Sequence, residues 1–350
     1  MIRSETIQTE RLRTHYLDSG PEDGIPVVLL HGNLSSGRFF EHLMGGTPDP
    51  AGRAAHPPVP HDRYRLIAPD MRGFGDSEAK PIDATRGLRD WADDTHALVE
   101  ALGIERPPHL AGWSTGGAAA AHYAIDRPVA SLTLIDPVSP YGFGGAHTPD
   151  FAGTGGGAVN PEFVRRLAEG DRSGEPASPR SAMTGAYWSP RHTEPPEREE
   201  RLLDEVLKSV VGEEFYPGDS TPSEHWPGMA PGTRGILNAL SPRYCDWSGL
   251  VDVDPKPPIL WTYGSEDIVI ADGSQWEMGT LGQLGAIPGW PGEDAFPPQP
   301  MVSQIAAVLD RYRDAGGRVQ VERFEGSGHF PPIDAAERWS RVFFDFLESG

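Results

Sequence analysis

The sequence predicts an α/β protein built on a mostly parallel, doubly wound sheet. Apolar runs that are too short for helices alternate with helical patterns through residues 25–135 and again through 258–348. Between these stretches, residues 137–256 show helical patterns but no clear buried strand. Because strands that alternate with helices form parallel sheets, we expect one α/β core that is interrupted by the insertion 137–256.

The first half of the core begins with two short strands, at 5–9 and 11–18, which a turn at Ser19-Gly20-Pro21 closes. The runs 25–30 and 64–69 are predicted as buried strands. Apolar residues recur at a spacing of three to four through 84–103, which predicts an amphipathic helix. The remaining predicted elements are a strand at 109–113, a helix at 115–126 and a strand at 131–135.

The insertion and the second half of the core follow the same logic. Prolines separate helical stretches of the insertion around 160–170, 178–188, 197–211 and 233–240. The core resumes with a strand at 258–263, a helix at 301–315, a strand at 318–324 and a helix at 335–348. A second excursion, 271–300, is rich in glycine and proline but also aromatic, which favours a flap or binding loop over disorder. The predicted division is therefore a core of 1–136 and 257–350, a helical lid of 137–256, and an extra flap of 271–300.

Composition excludes several classes of protein. With 30 basic and 51 acidic residues the net charge is −21, and this field repels phosphate backbones and anionic lipid, so neither nucleic acid nor a membrane is an expected partner. The sequence has no apolar run long enough to span a bilayer and shows no secretory signal. The single cysteine, Cys245, fits a reducing compartment. We therefore expect a cytoplasmic location; the sequence does not indicate the oligomeric state.

One motif carries the strongest chemical signal. Gly112-Trp113-Ser114-Thr115-Gly116 satisfies G-x-S-x-G, follows a predicted strand and opens a predicted helix. That context is the one in which this motif lifts a serine hydroxyl out of a sheet edge on a sharp turn. The N-terminus of the following helix offers unpaired N–H groups to a developing oxyanion. Ser114 is therefore predicted to be a nucleophile.

A second segment, His31-Gly32-Asn33, follows the buried strand at 25–30. In an acyl-transfer site the loop after this strand supplies a further oxyanion donor. We expect the backbone N–H groups of Asn33 and Thr115 to form the oxyanion hole, with Leu34 as the neighbouring candidate. His31 precedes the nucleophile, so we interpret it as a structural histidine that hydrogen-bonds the loop backbone.

The predicted base and acid follow from their order along the chain, which in this arrangement is serine, acid, histidine. The only histidine after residue 225 is His329, on a glycine-rich loop that follows the last predicted strand. Asp267 follows the strand at 258–263 and is the favoured acid. Asp136, at the end of the strand at 131–135, is the rival, and Glu266 is a weaker one.

These landmarks together resemble the α/β-hydrolase superfamily across residues 25–350. The resemblance implies an eight-stranded core with a lid after the sixth strand, which is where the insertion lies. His-Gly-Asn resembles the haloalkane dehalogenases, but those attack with an aspartate, whereas Ser114 occupies the elbow here. Asp267 and His329 are 62 residues apart, a longer separation than the family leads us to expect, and the excursion 271–300 accounts for it. The landmarks are His31-Gly32-Asn33, the segment 70–77, Ser114, the segment 264–267 and Gly328-His329.

The expected activity is cleavage of a carboxylic ester, lactone or polyester oligomer through an acyl-enzyme. Cleavage of a C–C bond or amide with the same triad, and a non-catalytic hydrolase-fold receptor, remain alternatives. No metal-ligand spacing or nucleotide-binding loop is present, so we expect no cofactor and no metal. The acidic surface and an aromatic pocket favour a neutral or moderately hydrophobic small-molecule ester. The expected lining residues are Trp113, Phe39, Phe40, Tyr141, Phe143, Trp188, Trp226 and Trp276.

Overall fold

The computed structural model describes residues 2–45 and 62–349, and its centre is a mostly parallel sheet of eight strands. The strand order across the sheet is β1-β2-β4-β3-β5-β6-β7-β8. Only β2 breaks the parallel arrangement, because it runs antiparallel to both β1 and β4. The strands are β1 (Arg3–Gln8), β2 (Arg13–Ser19), β3 (Ile25–Leu30), β4 (Tyr64–Pro69), β5 (His109–Trp113), β6 (Ser131–Ile135), β7 (Ile259–Gly264) and β8 (Val319–Phe324).

Helices connect the parallel strands, and α2 packs on β5 and β6 while also contacting α1. In the described part of the chain, no helix is long and apolar enough to cross a membrane. The helices are α1 (Arg89–Ala101), α2 (Thr115–Asp126), α3 (Pro161–Ala168), α4 (Pro179–Ala186), α5 (Pro196–Leu207), α6 (Ile236–Ala239), α7 (Met278–Gln283), α8 (Met301–Asp314), α9 (Pro331–Asp334) and α10 (Ala336–Ser349).

The predicted fold class is confirmed, and one local expectation needs correction. The helix expected over 84–103 is a short 3₁₀ turn, Ala84–Arg86, followed by α1. Gly87 separates them with φ +61°, and a Cβ there would lie 2.5 Å from the Tyr244 carbonyl oxygen, so the backbone can neither stay helical nor carry a side chain. The segment between β6 and β7 also contains four strands of two or three residues besides its helices.

The segment between β6 and β7 is fastened to the core by backbone hydrogen bonds. The N–H of Ile82 donates to Glu214 O at 3.0 Å, and the N–H of Val210 donates to Gly73 O at 2.9 Å. These bonds satisfy backbone groups that would otherwise be buried without partners. The insertion is thus packed against the core loops that precede α1.

The sheet brings all the predicted chemical groups to one edge. Asn33 follows β3, Ser114 follows β5, Asp136 follows β6, Asp267 follows β7 and His329 follows β8. All five strands are parallel neighbours, so their carboxyl ends meet at the same side of the sheet. In open α/β sheets this is the edge where ligands bind.

The contact of α2 with β3 leads to a testable prediction. A Cβ on Gly116 would lie 2.4 Å from both the Leu30 and His31 carbonyl oxygens. Alanine normally stabilises a helix relative to glycine by up to about 1 kcal/mol, but here the backbone contact opposes it. Gly116→Ala should therefore lower the melting temperature in a thermal unfolding experiment.

Gly185 is the matched control, because it also lies in a helix, is exposed and would place a Cβ in open space. Gly185→Ala should leave the melting temperature unchanged or raise it. The same change in melting temperature for both variants would show that the contact between α2 and β3 does not exclude a side chain at residue 116.

Candidate active site

Ser114 lies on a strained turn between β5 and α2. Its φ of +55° and ψ of −116° are outside the regions that non-glycine residues ordinarily adopt, which costs on the order of 1–3 kcal/mol. A Cβ on Gly112 would lie 2.1 Å from Gly116 O, so the turn closes only with glycine at 112. The N–H of Ser114 donates to Ile135 O at 2.9 Å, and Ser114 O accepts from Val138 at 3.1 Å, which ties the turn to β6.

The loop after β3 is held from its core side by His31. The Nδ1–H of His31 donates to Gly32 O at 2.7 Å, while Nε2 accepts the Met71 N–H at 2.9 Å. Burial lowers the pKa of His31 to about 4, so the ring is neutral and both nitrogens act in these bonds. His31 is therefore a structural histidine, as its position before the nucleophile predicted.

Two backbone N–H groups beside Ser114 are left without acceptors. Among the described residues, neither the Asn33 nor the Thr115 N–H donates a hydrogen bond, and both residues line the same cavity as Ser114. Thr115 is the first residue of α2, where N–H groups have no partner within the helix. The Leu34 N–H is engaged by the Asn33 side-chain oxygen at 3.1 Å.

His329 and Asp267 form a buried pair. The His329 Nδ1–H donates to Asp267 Oδ2 at 2.7 Å, and Asp267 Oδ1 accepts from the N–H groups of Val269 at 2.7 Å and Ile270 at 3.1 Å. The carboxylate is thereby fixed in orientation, and Nε2 of His329 is left as the free ring nitrogen. Ser114 Oγ and the His329 ring line the same cavity, and Oγ makes no hydrogen bond to the ring.

A close backbone contact joins the loops that carry these two side chains. A Cβ on Gly264 would lie only 1.9 Å from Gly328 O, and the Glu266 N–H donates to Ser327 O at 2.8 Å. Trp113 adds a second link, because its indole N–H donates to His329 O at 2.8 Å. Trp113, which precedes Ser114, therefore contacts the loop that carries His329 directly.

Asp136, the rival acid, lies beside Asp267 and does not replace it. Its Oδ1 accepts the Gly264 N–H at 3.0 Å, and its carboxyl lies within 4.8 Å of the Asp267 carboxyl and the His329 ring. Burial, with the neighbouring Asp267 charge, raises the pKa of Asp136 well above its ordinary value. Asp267, and not Asp136, is therefore the acid whose side chain contacts His329.

The site opens into a largely apolar cavity of about 130 Å³. It is lined from the core by the loops after β3, β5, β6, β7 and β8, and by many residues of the insertion. The excursion 271–300 contributes Trp276, Glu277 and Met278 to its wall. Its apolar wall comprises Leu34, Trp113, Val138, Phe143, Ala158, Val159, Leu237, Leu240, Val269, Ile270, Trp276 and Met278.

Comparison with known proteins identifies the family. The model of the alpha/beta hydrolase family matches residues 27–342. The chain belongs to this family. It is 37% identical over 138 residues to a cis-3-alkyl-4-alkyloxetan-2-one decarboxylase of Xanthomonas campestris, covering 36% of this chain and 41% of that protein.

One further relative and one solved structure are similar to this chain. The chain is 34% identical over 123 residues to lipase 1 of Psychrobacter immobilis, covering 35% of this chain and 34% of the lipase. It thus spans less than half the length of these two curated relatives. A crystal structure of a putative aryl esterase from Burkholderia cenocepacia superimposes with a TM-score of 0.61 over 99% of this chain and 98% of the esterase, at 22% identity, which shows the shared fold.

Several aromatic residues expected at the pocket of this hydrolase lie elsewhere. Trp113, Phe143 and Trp276 line the cavity, but Phe39 and Phe40 are fully buried in the core, against Trp113 and Phe330. Tyr141 is 38% exposed at a second cavity. Trp188 and Trp226 also lie outside the cavity wall, next to His192 and Phe296. Aromatic content alone therefore did not separate packing from lining positions.

Four polar residues of the cavity wall were not predicted from the sequence: Thr154, Tyr187, Tyr216 and Glu277. Tyr187 and Tyr216 enter the cavity from the insertion, where no periodic pattern fixes which face is inward. Glu277 lies in the wall, and its carboxyl accepts the Gly279 and Thr280 N–H groups at 2.7 and 2.6 Å. Those two bonds are the N-cap of α7, and because glutamate is not among the residues that usually cap a helix, no sequence signal indicated it.

Among the residues that the structure describes, two clusters each place three potential metal ligands within 4.8 Å of one another. They are Asp136 with Asp267 and His329, and His15 with Asp70 and Asp76. In the second cluster Asp70 accepts from His15 at 2.7 Å and from the Gly37 and Asp76 N–H groups at 2.8 Å. In both clusters, the carboxylate that contacts the histidine thus already accepts hydrogen bonds from protein N–H groups.

The raised pKa of Asp136 predicts a specific pH dependence of stability. Because this pKa is higher in the folded than in the unfolded chain, the folded protein binds more protons between the two pKa values, and the free energy of unfolding falls as pH rises through that range. The slope is at most about 1.4 kcal/mol per pH unit. Asp136→Asn can keep the hydrogen bond from the Gly264 N–H but cannot ionise, so its stability relative to the wild type should increase as pH rises above the ordinary carboxyl range, measured by urea unfolding from pH 5 to pH 8.

The matched control is Asp310→Asn, which changes an exposed carboxylate on α8. Its stability relative to the wild type should change little over the same pH range. A constant difference between Asp136→Asn and the wild type would contradict the raised pKa of Asp136.

Proposed function

We propose that this hydrolase cleaves carboxylic esters through a Ser114–His329–Asp267 triad and an acyl-enzyme. The observation that carries the proposal is the strained turn at Ser114, which opens on the same cavity as the His329 ring while Asp267 holds that ring from behind. A serine on such a turn next to an oriented imidazole is the arrangement of an activated nucleophile.

The first step is acylation. His329 Nε2 takes the hydroxyl proton as Ser114 Oγ attacks the ester carbonyl, and Asp267 stabilises the imidazolium that forms. The tetrahedral intermediate then collapses, the bond to the alcohol oxygen breaks, and His329 returns the proton to the leaving alcohol. Water attacks the acyl-enzyme by the same route, which releases the acid and restores Ser114.

The oxyanion of the tetrahedral intermediate is assigned to the N–H groups of Asn33 and Thr115. Both are free in the ligand-free site, and they come from a loop and a helix start that the fold already holds in place. Preorganised donors of this kind each contribute on the order of 3 kcal/mol to lowering the barrier. Leu34 is the weaker candidate, because its N–H already has an acceptor.

The cavity supports a small to medium, neutral or hydrophobic substrate. Its wall is mostly aliphatic and aromatic, and no Lys or Arg among the described residues lines it. Glu277 and the net charge of −21 oppose an anionic acyl group or alcohol. Simple esters, lactones and polyester oligomers meet these conditions.

We assign a lid role to the insertion 137–256. It supplies residues on several sides of the cavity, including Phe143, Thr154, Tyr187, Tyr216 and Leu240. The excursion 271–300 would act as a second flap, since Trp276 lies in the wall and is 41% exposed to solvent. A segment that covers the reacting groups excludes water and shapes the pocket for the acyl or alcohol part.

Removal of the nucleophile tests the proposal. Ser114→Ala should reduce kcat for p-nitrophenyl acetate by at least about 10³-fold, because the acyl-enzyme can no longer form. Turnover by this variant near the wild-type rate would rule out Ser114 as the nucleophile.

Ser340→Ala is the matched control. Ser340 is also buried, lies on α10 away from the cavity, and its hydroxyl has no hydrogen-bond partner. This variant should keep the wild-type kcat. Parallel assays with an anilide test amide cleavage, and assays with a vinylogous 1,5-diketone test C–C bond cleavage. A higher rate on either substrate than on the ester would contradict the proposal of ester cleavage.

A further inference from the structure

Resting on the proposed function, we propose that Tyr187 of the insertion is a positioning residue for the oxyanion hole. Its hydroxyl lies 3.0 Å from both Asn33 O and Leu34 O, and it donates its single hydrogen to these two consecutive carbonyls. These hydrogen bonds join a residue of the insertion to the core loop that carries the proposed oxyanion donor.

The effect of the Tyr187 hydroxyl follows from the geometry of the peptide bond. In a trans peptide the carbonyl and the next N–H point in opposite directions, so a bond that fixes one also fixes the other. Tyr187 fixes the peptide planes that follow Asn33 and Leu34. Gly32 O, on the other side, accepts from His31 Nδ1 at 2.7 Å and Ser35 Oγ at 2.8 Å.

Asn33 therefore lies between two peptide planes that side chains hold. The plane before it contains its own N–H and is set by His31 and Ser35, whereas the plane after it is set by Tyr187. The next residue, Leu34, has φ +50°, a left-handed conformation that a leucine adopts only when its surroundings impose it. Without the Tyr187 hydroxyl, this part of the loop loses one of its restraints.

The ring of Tyr187 is itself fixed. It packs edge-on against Trp113, with ring centroids 5.1 Å apart, and against Phe39 at 5.9 Å. The residue is only 8% exposed. Phenylalanine keeps these ring contacts and loses only the hydroxyl, so Tyr187→Phe isolates the two hydrogen bonds from the packing.

Tyr187→Phe should increase amide hydrogen exchange in peptides that cover residues 32–36, measured by mass spectrometry. With p-nitrophenyl acetate, kcat should fall about tenfold while KM changes less than twofold, because a displaced donor weakens transition-state binding less than the 10²–10³-fold effect of a deleted one. A purely structural role would not produce this split between kcat and KM.

Tyr312→Phe is the matched control. The Tyr312 hydroxyl also donates to a backbone carbonyl, Pro257 O at 2.6 Å, but it lies on α8 away from the loop. This variant should leave both kcat and exchange in 32–36 at wild-type values. Unchanged exchange of 32–36 in Tyr187→Phe would overturn the inference, as would a rise in KM at constant kcat, which would indicate direct substrate contact. A wild-type protein without esterase activity would contradict the proposed function alone, since the exchange measurement does not depend on turnover.

Discussion

The arrangement of the site depends on one constraint, the tight turn that carries Ser114 between β5 and α2. The turn holds Ser114 in a left-handed conformation, and it does so only because Gly112 and Gly116 let backbone segments approach closer than any Cβ permits. Gly116 also allows α2 to start directly against the carbonyls of Leu30 and His31. The loop after β3 and the first N–H groups of α2 are thereby placed on either side of the same hydroxyl.

The other groups are fixed relative to that turn by hydrogen bonds and close packing. The Trp113 indole binds the His329 carbonyl, and the Gly264–Gly328 contact brings the acid loop against the histidine loop. These links explain how Asp267 and His329 form a 2.7 Å bond although the excursion 271–300 separates them along the chain. The excursion leaves and returns to the core without disturbing the pair, and it contributes part of the cavity wall.

The core of the fold could be predicted because its signals are local. Buried β-branched runs and 3–4 apolar spacing predicted the strands and most helices to within a few residues, and motif context and elimination singled out Ser114 and His329 as candidate site residues. The helix break at Gly87 was not predicted, because it depends on a contact with Tyr244, which is distant in sequence.

The cavity wall was less predictable for a related physical reason. Large aromatic side chains suit both a core and a pocket, so Phe39 and Phe40 could not be separated from Phe143 without the packing. Tyr187 shows the same limit, because its partners are carbonyl oxygens that carry no sequence signature. Likewise, the sequence left Asp136 and Asp267 as competing acids, and only the structure shows that Asp267 contacts His329 while Asp136 accepts the Gly264 N–H.

The central claim is that Ser114 is the activated nucleophile of this site. The most direct measurement is reaction of the wild-type protein with a fluorophosphonate, followed by intact mass and peptide mapping. We expect one adduct per chain, located on Ser114, with the phosphorus bonded to Oγ after loss of fluoride. An unmodified protein, or an adduct on another serine while Ser114 stays free, would contradict it.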